Sequence, residues 1–74
     1  MQRGRQYRLK TATMGLASND DHPIAVTIPA NAIVTFAGPS RDDSRLVDVQ
    51  WQEKTFALFA LDMMERGEAV RRVT

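Results

Sequence analysis

Leu46-Val47-Asp48-Val49-Gln50-Trp51-Gln52 alternates apolar and polar side chains without a break. A period of two places Val47, Val49 and Trp51 on one face and Asp48, Gln50 and Gln52 on the other, the pattern of a strand with one side in water. Trp51 is thereby expected in the core, the alternative being that it lines a ligand groove. Glu53-Lys54 is the expected hairpin tip, although it lacks the glycine or asparagine that tight hairpin turns favour. Thr55 to Ala60 follows as a second strand, and Phe56, Ala57, Leu58, Phe59 and Ala60 make it apolar on both faces. Such a strand is predicted to be buried on both sides, or covered by a neighbouring subunit.

Working outward, Ile24-Ala25-Val26-Thr27-Ile28 sets three β-branched residues on one face of a further strand. Pro29-Ala30-Asn31 breaks it, because proline has no N–H to give a ladder. Ala32 to Ala37 resumes as a strand, and Gly38 to Ser44 is a polar loop. Near the start, residues 5 to 11 alternate so that Tyr7 and Leu9 face one side and Arg8 and Lys10 the other. From Thr13 to Pro23 the pattern lapses into a long excursion dense in turn formers at Ser18-Asn19-Asp20-Asp21-His22-Pro23, with Met14 and Leu16 keeping some alternation. Leu61 to Gly67 favours a single helical turn of 3₁₀ character, with Gly67 suited to the left-handed C-terminal position. Glu68 to Val73 is a last short strand.

These elements describe an all-β chain: a small SH3-like, partly open β-barrel of about five strands, with one short helical (3₁₀) turn before the last strand. The 74 residues form one domain in this scheme, with Val26, Ile28, Val34, Phe36, Val49, Trp51 and Leu58 inside. An OB-fold ranks second, since only the loop from Gly38 to Ser44 is available where that fold carries a helix. In an SH3-like barrel the first and last strands come near each other.

Thr27 to Gly67 also carries a resemblance. Thr-Ile-Pro-Ala-Asn-Ala-Ile-Val, Arg-Leu-Val-Asp-Val-Gln-Trp-Gln-Glu-Lys-Thr and Ala-Leu-Asp-Met-Met-Glu-Arg-Gly resemble recurring segments of a group of small uncharacterised bacterial proteins with an SH3-like barrel. Tyr7-Arg8-Leu9 fits the start of that group. The chain departs from it at Asn31 and Glu53, where glycine is common in the group. The resemblance implies a bacterial origin and the barrel, and it implies no activity.

Composition bounds the function. There is no cysteine for a disulfide or a thiolate zinc site, and 43% hydrophobic with 26% charged residues is the make-up of a folded domain. The longest apolar run, Phe56 to Leu61, is far short of the ~20 residues a membrane helix needs, so no membrane partner is expected. With no apolar segment after Met1-Gln2-Arg3-Gly4-Arg5, the expected compartment is the cytoplasm. A net charge of +1 conceals a division. Arg3, Arg5, Arg8, Lys10, Arg71 and Arg72 place six positive charges at the two ends, whereas residues 11 to 70 carry four basic residues against all nine carboxylates.

Catalytic patterns are missing. His22 is the single histidine, and Asp20-Asp21-His22 offers too few ligands for a specific metal site. The paired carboxylates Asp20-Asp21 and Asp42-Asp43 are loop neighbours, not the split pair acid/base chemistry needs, and the four glycines form no phosphate cradle. The expectation is therefore a non-catalytic protein-interaction module that takes no cofactor and binds a protein partner or itself. Phe59 and Met63 are its candidate apolar contacts. A first alternative is weak nucleic-acid binding through a basic patch of Arg3, Arg5, Arg8, Lys10, Arg71 and Arg72, brought together where the ends meet. A second is a small enzyme assembled only at an oligomer interface.

Overall fold

Alternation becomes strand along most of the chain. The computed structural model describes residues 2–19, 22–41 and 43–70. Within them lie β1 (Gln6–Leu9), β2 (Thr13–Asn19), β3 (His22–Ile28), β4 (Ile33–Pro39), β5 (Leu46–Trp51), β6 (Lys54–Phe59), α1 (Ala60–Arg66) and β7 (Gly67–Ala69). The strands form one antiparallel sheet in the order β3-β2-β6-β5-β4-β1-β7. Among the described residues the chain is thus a small, mostly-β domain of seven strands with one short helix near the end, and β3 and β7 are the edge strands of a sheet that does not close.

Two expectations change here. The strands number seven, not about five, because the excursion after β1 is a hairpin: β2 pairs with β3 from Thr13↔Ile28 to Asn19↔His22. The turn before the last strand is α-helical and seven residues long rather than 3₁₀. Asp62 in its first turn and Arg66 in its last complement the helix dipole. Side chains pin the helix to the β1–β2 connection. Arg66 Nη1 donates to the Ala12 carbonyl at 2.6 Å, and the Thr13 hydroxyl donates to Asp62 Oδ2 at 3.4 Å. Lys10 N–H donates to the Arg66 carbonyl at 2.7 Å, satisfying a helix-end acceptor.

Gly67 ends the helix for a different reason from the one expected. Its φ of −89° is extended, not left-handed. What excludes a side chain is proximity, since a Cβ at position 67 would stand 2.5 Å from the Met63 carbonyl oxygen.

The core gathers the inward-facing set of each strand. Leu9, Ile28, Val34 and Val49 are fully buried, and Tyr7, Phe36, Val47, Phe56, Leu58 and Met63 are nearly so. The register explains their contact: Phe36 pairs with Val49, Val49 with Phe56, and Phe56 with Ala17. Each large side chain taken fully from water contributes about 1.5–3 kcal/mol. On β2 the inward positions are Thr13, Gly15 and Ala17, all small, because Ile28, Leu58 and Phe56 occupy the space. A Cβ on Gly15 would lie 3.0–3.2 Å from those three side chains. Met14 consequently points outward and is 58% exposed.

The β5–β6 connection is the two-residue turn Gln52–Glu53, one residue earlier than the sequence suggests, and it joins the register pair Trp51↔Lys54. Gln52 and Glu53 have φ of 51° and 65°. That is the signature of a type I′ turn built without its usual asparagine and glycine.

Candidate functional site

A groove opens beside the β2–β3 hairpin, with a volume of about 1150 Å³. Leu16, Ala17, Ile24 and Val26 form the hairpin side, and Phe56 and Ala57 of β6 contribute to the floor. Trp51, at the end of β5, forms part of the wall. Its ring lies 5.9 Å from that of Phe56 with the planes tilted by 55°, and its remaining surface is half-buried. The core position expected for Trp51 is thereby corrected. It packs against the core cluster with one side and faces the groove with the rest. The alternation that aligns it with Val47 and Val49 continues, but β5 ends at Trp51, and the ring packs on the core cluster without being fully buried.

The opposite side is built by the β4–β5 loop and the segment before β1. A bulge between Phe36 and Gly38 interrupts the β4–β5 register and turns the strand end outward. Gly38 has a φ of 123°, and a Cβ there would stand 2.8 Å from Arg3 Nε, so the guanidinium lies directly over the glycine backbone. Gly4 N–H donates to the Phe36 carbonyl at 2.8 Å, which holds the Arg3 segment against β4. In the loop, the Asp43 carboxylate accepts from Arg45 three times. The backbone N–H reaches Oδ1 at 2.9 Å, Nε reaches Oδ1 at 3.1 Å, and Nη2 reaches Oδ2 at 2.9 Å. The side-chain bond from Arg45, then its backbone N–H, hold Asp43 down at a pKa of about 2. The same pair raises the Arg45 guanidinium, through the hydrogen bond first and the charge second. Ser40 N–H donates to the Leu46 carbonyl at 3.0 Å and closes the loop's base.

Among the described residues lining the groove, Arg3, Arg41 and Lys54 supply positive charge and Asp48 supplies the negative. All three cations are exposed, and Asp48 is half-buried. The arrangement can attract an anionic, extended ligand over an apolar floor.

The expected basic patch is distributed differently. β1 and β7 are neighbours, with Tyr7↔Ala69 and Arg8↔Glu68 in register, so the first and last strands do meet. Their meeting brings a carboxylate with it: Arg8 lies 3.6 Å from Glu68 and donates to Asn31 Oδ1 at 2.6 Å. Arg3 turns to the groove, and Arg5 and Lys10 are exposed before and after β1. From Arg5 to Lys10 the strand rise of ~3.3 Å per residue spreads the charges over about 16 Å. Arg71 and Arg72 lie outside the described residues.

Of the apolar contacts, Phe59 is 49% exposed, but Met63 is 2% exposed and belongs to the core. Adjacent residues on a helix cannot share a face, and it is Met64, 70% exposed, that looks outward. The contact expected at Met63 therefore passes to Met64. His22 is exposed at the start of β3, while Asp20 and Asp21 lie outside the described residues. Among the described residues no three His, Cys, Asp or Glu side chains form a metal-binding group, and no helix is long and apolar enough to cross a membrane. Arg41, Lys54, Asp48 and Leu16 carried no binding role in the sequence reading, which placed them only in loops, turns and strands. No protein-family model, no curated protein and no solved structure matches the chain.

Proposed function

We propose that the chain is a non-catalytic interaction module whose groove receives an extended, acidic segment of another protein. The observation that carries this is the groove's composition: three exposed cations against one carboxylate among its described lining residues, above an apolar floor with the half-exposed Trp51 beside it. Charge steers and registers such a ligand, while an apolar anchor on it supplies most of the affinity. The architecture proposed is an SH3-like, partly open barrel. Supporting it are the neighbouring run β7-β1-β4-β5-β6, the long hairpin between β1 and β4, and the helix before β7. The Asp43–Arg45 pair lies outside the groove lining but in the same β4–β5 loop as Ser40 and Arg41, and ordering that loop lowers the ordering cost of binding.

The test is a ¹⁵N-HSQC titration of the full chain with acidic twelve-residue peptides carrying one central leucine or proline pair. Lysine-for-glutamate versions and a dT12 oligonucleotide serve as comparisons. Salt-sensitive shifts at the Trp51 indole, Leu16, Ala57 and Arg3 with the acidic set are expected. Arg3→Glu combined with Arg41→Glu is expected to weaken binding at least about ten-fold. Equal response to the lysine peptides overturns the proposal. So does a response to dT12 alone, centred on Arg5 and Lys10.

A further inference from the structure

The edge of the sheet at β3 carries a second recognition surface, and we infer that its occupant is the β3 edge of a second copy of this chain. Among the described residues β3 has β2 as its only ladder neighbour. The opposite edge is thus open. Ser18 pairs with Pro23 in the β2–β3 register. Proline has no N–H, so it fits a paired strand where that donor would point away from the partner. By strand alternation, Ala25 and Thr27 then turn their N–H and C=O groups outward as well. Both residues are exposed, whereas Val26 is half-buried and Ile28 is fully buried.

The spacing of this edge is self-complementary. Pro23 and Pro29 stand three residues either side of Val26. A two-fold antiparallel pairing centred on Val26 sets Ala25 opposite the second copy's Thr27, and Thr27 opposite its Ala25. Each such pair exchanges two backbone hydrogen bonds, about four in all. Next in line come Pro23 and the second copy's Pro29, which follows the end of β3 and whose carbonyl accepts from Ala32 N–H in its own chain; neither proline has an N–H, so the ladder stops there with no donor left unpaired. On the core-side face Ile24, 45% exposed in the single chain, comes opposite Ile28, and Val26 comes opposite Val26. No charged residue lies between Pro23 and Pro29, so no like charges oppose one another across the axis. The sheet's other edge, β7, is three residues long and offers no comparable template, so pairing through β3 closes at two copies instead of growing.

Ile24 and Val26 also line the groove. Pairing at β3 therefore sets the two grooves side by side, whatever segment each of them receives.

The experiment is sedimentation velocity on the full chain from about 5 to about 500 µM, joined to amide hydrogen exchange at both ends of that range. A dimer is expected, with the Ala25 and Thr27 amides exchanging more slowly at high concentration. Two double variants read the register. Ala25→Glu with Thr27→Glu places like charges opposite each other twice and is expected to raise the dissociation constant at least about ten-fold. Ala25→Glu with Thr27→Lys places opposite charges there, and the dimer is expected to persist. A monomer throughout the range overturns the inference. Exchange at Ala25 and Thr27 that ignores concentration also overturns it, as does a dimer indifferent to the double-glutamate variant, which would locate association on another face such as Met14 and Phe59. Peptide binding in the groove is measured separately, so either proposal can fail alone.

Discussion

Replacing Glu53 by glycine should make this protein more stable. Gln52 and Glu53 both hold positive φ, at 51° and 65°, to close the β5–β6 hairpin. An L-residue other than glycine or asparagine pays about 1–2 kcal/mol to sit in the left-handed region, because its Cβ crowds the following carbonyl. Glycine removes that cost but adds about 0.5–1 kcal/mol of unfolded-state entropy to be lost on folding. The difference favours Glu53→Gly by about 0.5–1 kcal/mol, or roughly 2–8 °C in the melting temperature of a domain this size. Glu53 is exposed at the hairpin tip, so the exchange removes no packing. The assay is thermal unfolding followed by circular dichroism, with Gln50→Gly as the internal control. Gln50 is exposed in β5, where glycine brings only its entropic penalty, so that variant should lose about 0.5–1 kcal/mol. The opposite signs of two Gly substitutions three residues apart are what the backbone argument demands. A Glu53→Gly variant that melts at or below the wild-type temperature refutes it.

Two further outcomes follow from side-chain placement. Met63→Ala leaves a cavity in the core and should cost about 2–5 kcal/mol, whereas Met64→Ala next to it should change stability by less than about 0.5 kcal/mol; chemical denaturation of both checks the assignment, and equal effects sink it. Asp43 titrates at about 2 instead of its ordinary 3.8, so the folded state favours its charged form. The loop order it contributes is complete above pH 4 and declines as the pH falls through about 2, as ¹³C carboxyl shifts will show, and Arg45→Gln should return the titration toward the ordinary value.

Much of the sheet was legible because β1 and β5 present apolar residues inward and polar ones outward, which is what alternation detects, while β4 showed itself by its β-branched run although Ile33 faces out. β2 was hidden by reversing that habit. Its inward residues are Thr13, Gly15 and Ala17, kept small by Ile28, Leu58 and Phe56 across the core, while its conspicuous Met14 faces out. An apolar period read on the wrong face looks like an irregular loop. The helix was underestimated because seven residues with one buried side chain carry almost no period, and its stability comes from Lys10, Ala12 and Thr13, far away in sequence. The groove was invisible for the same reason. Arg3, Arg41 and Lys54 come from three separate segments, and no spacing between them survives in the linear order. The meeting of first and last strands was foreseen. The carboxylate of Glu68 beside Arg8 shows how little such proximity says about charge until the register is known.

The position of β1 inside the sheet also governs how the protein comes into being. Tyr7 to Leu9 precedes the other elements in chain order, yet it finds its neighbours in β4 and then in β7, which follows them all. The nascent chain therefore carries a half-apolar strand with one unpaired edge until β7 is released. Long-range pairings of this kind fold slowly, and the interval before they form is when unpaired strands find wrong partners. The three residues of β7 act as a latch on synthesis: with them the first strand becomes interior, and without them it remains an adhesive margin.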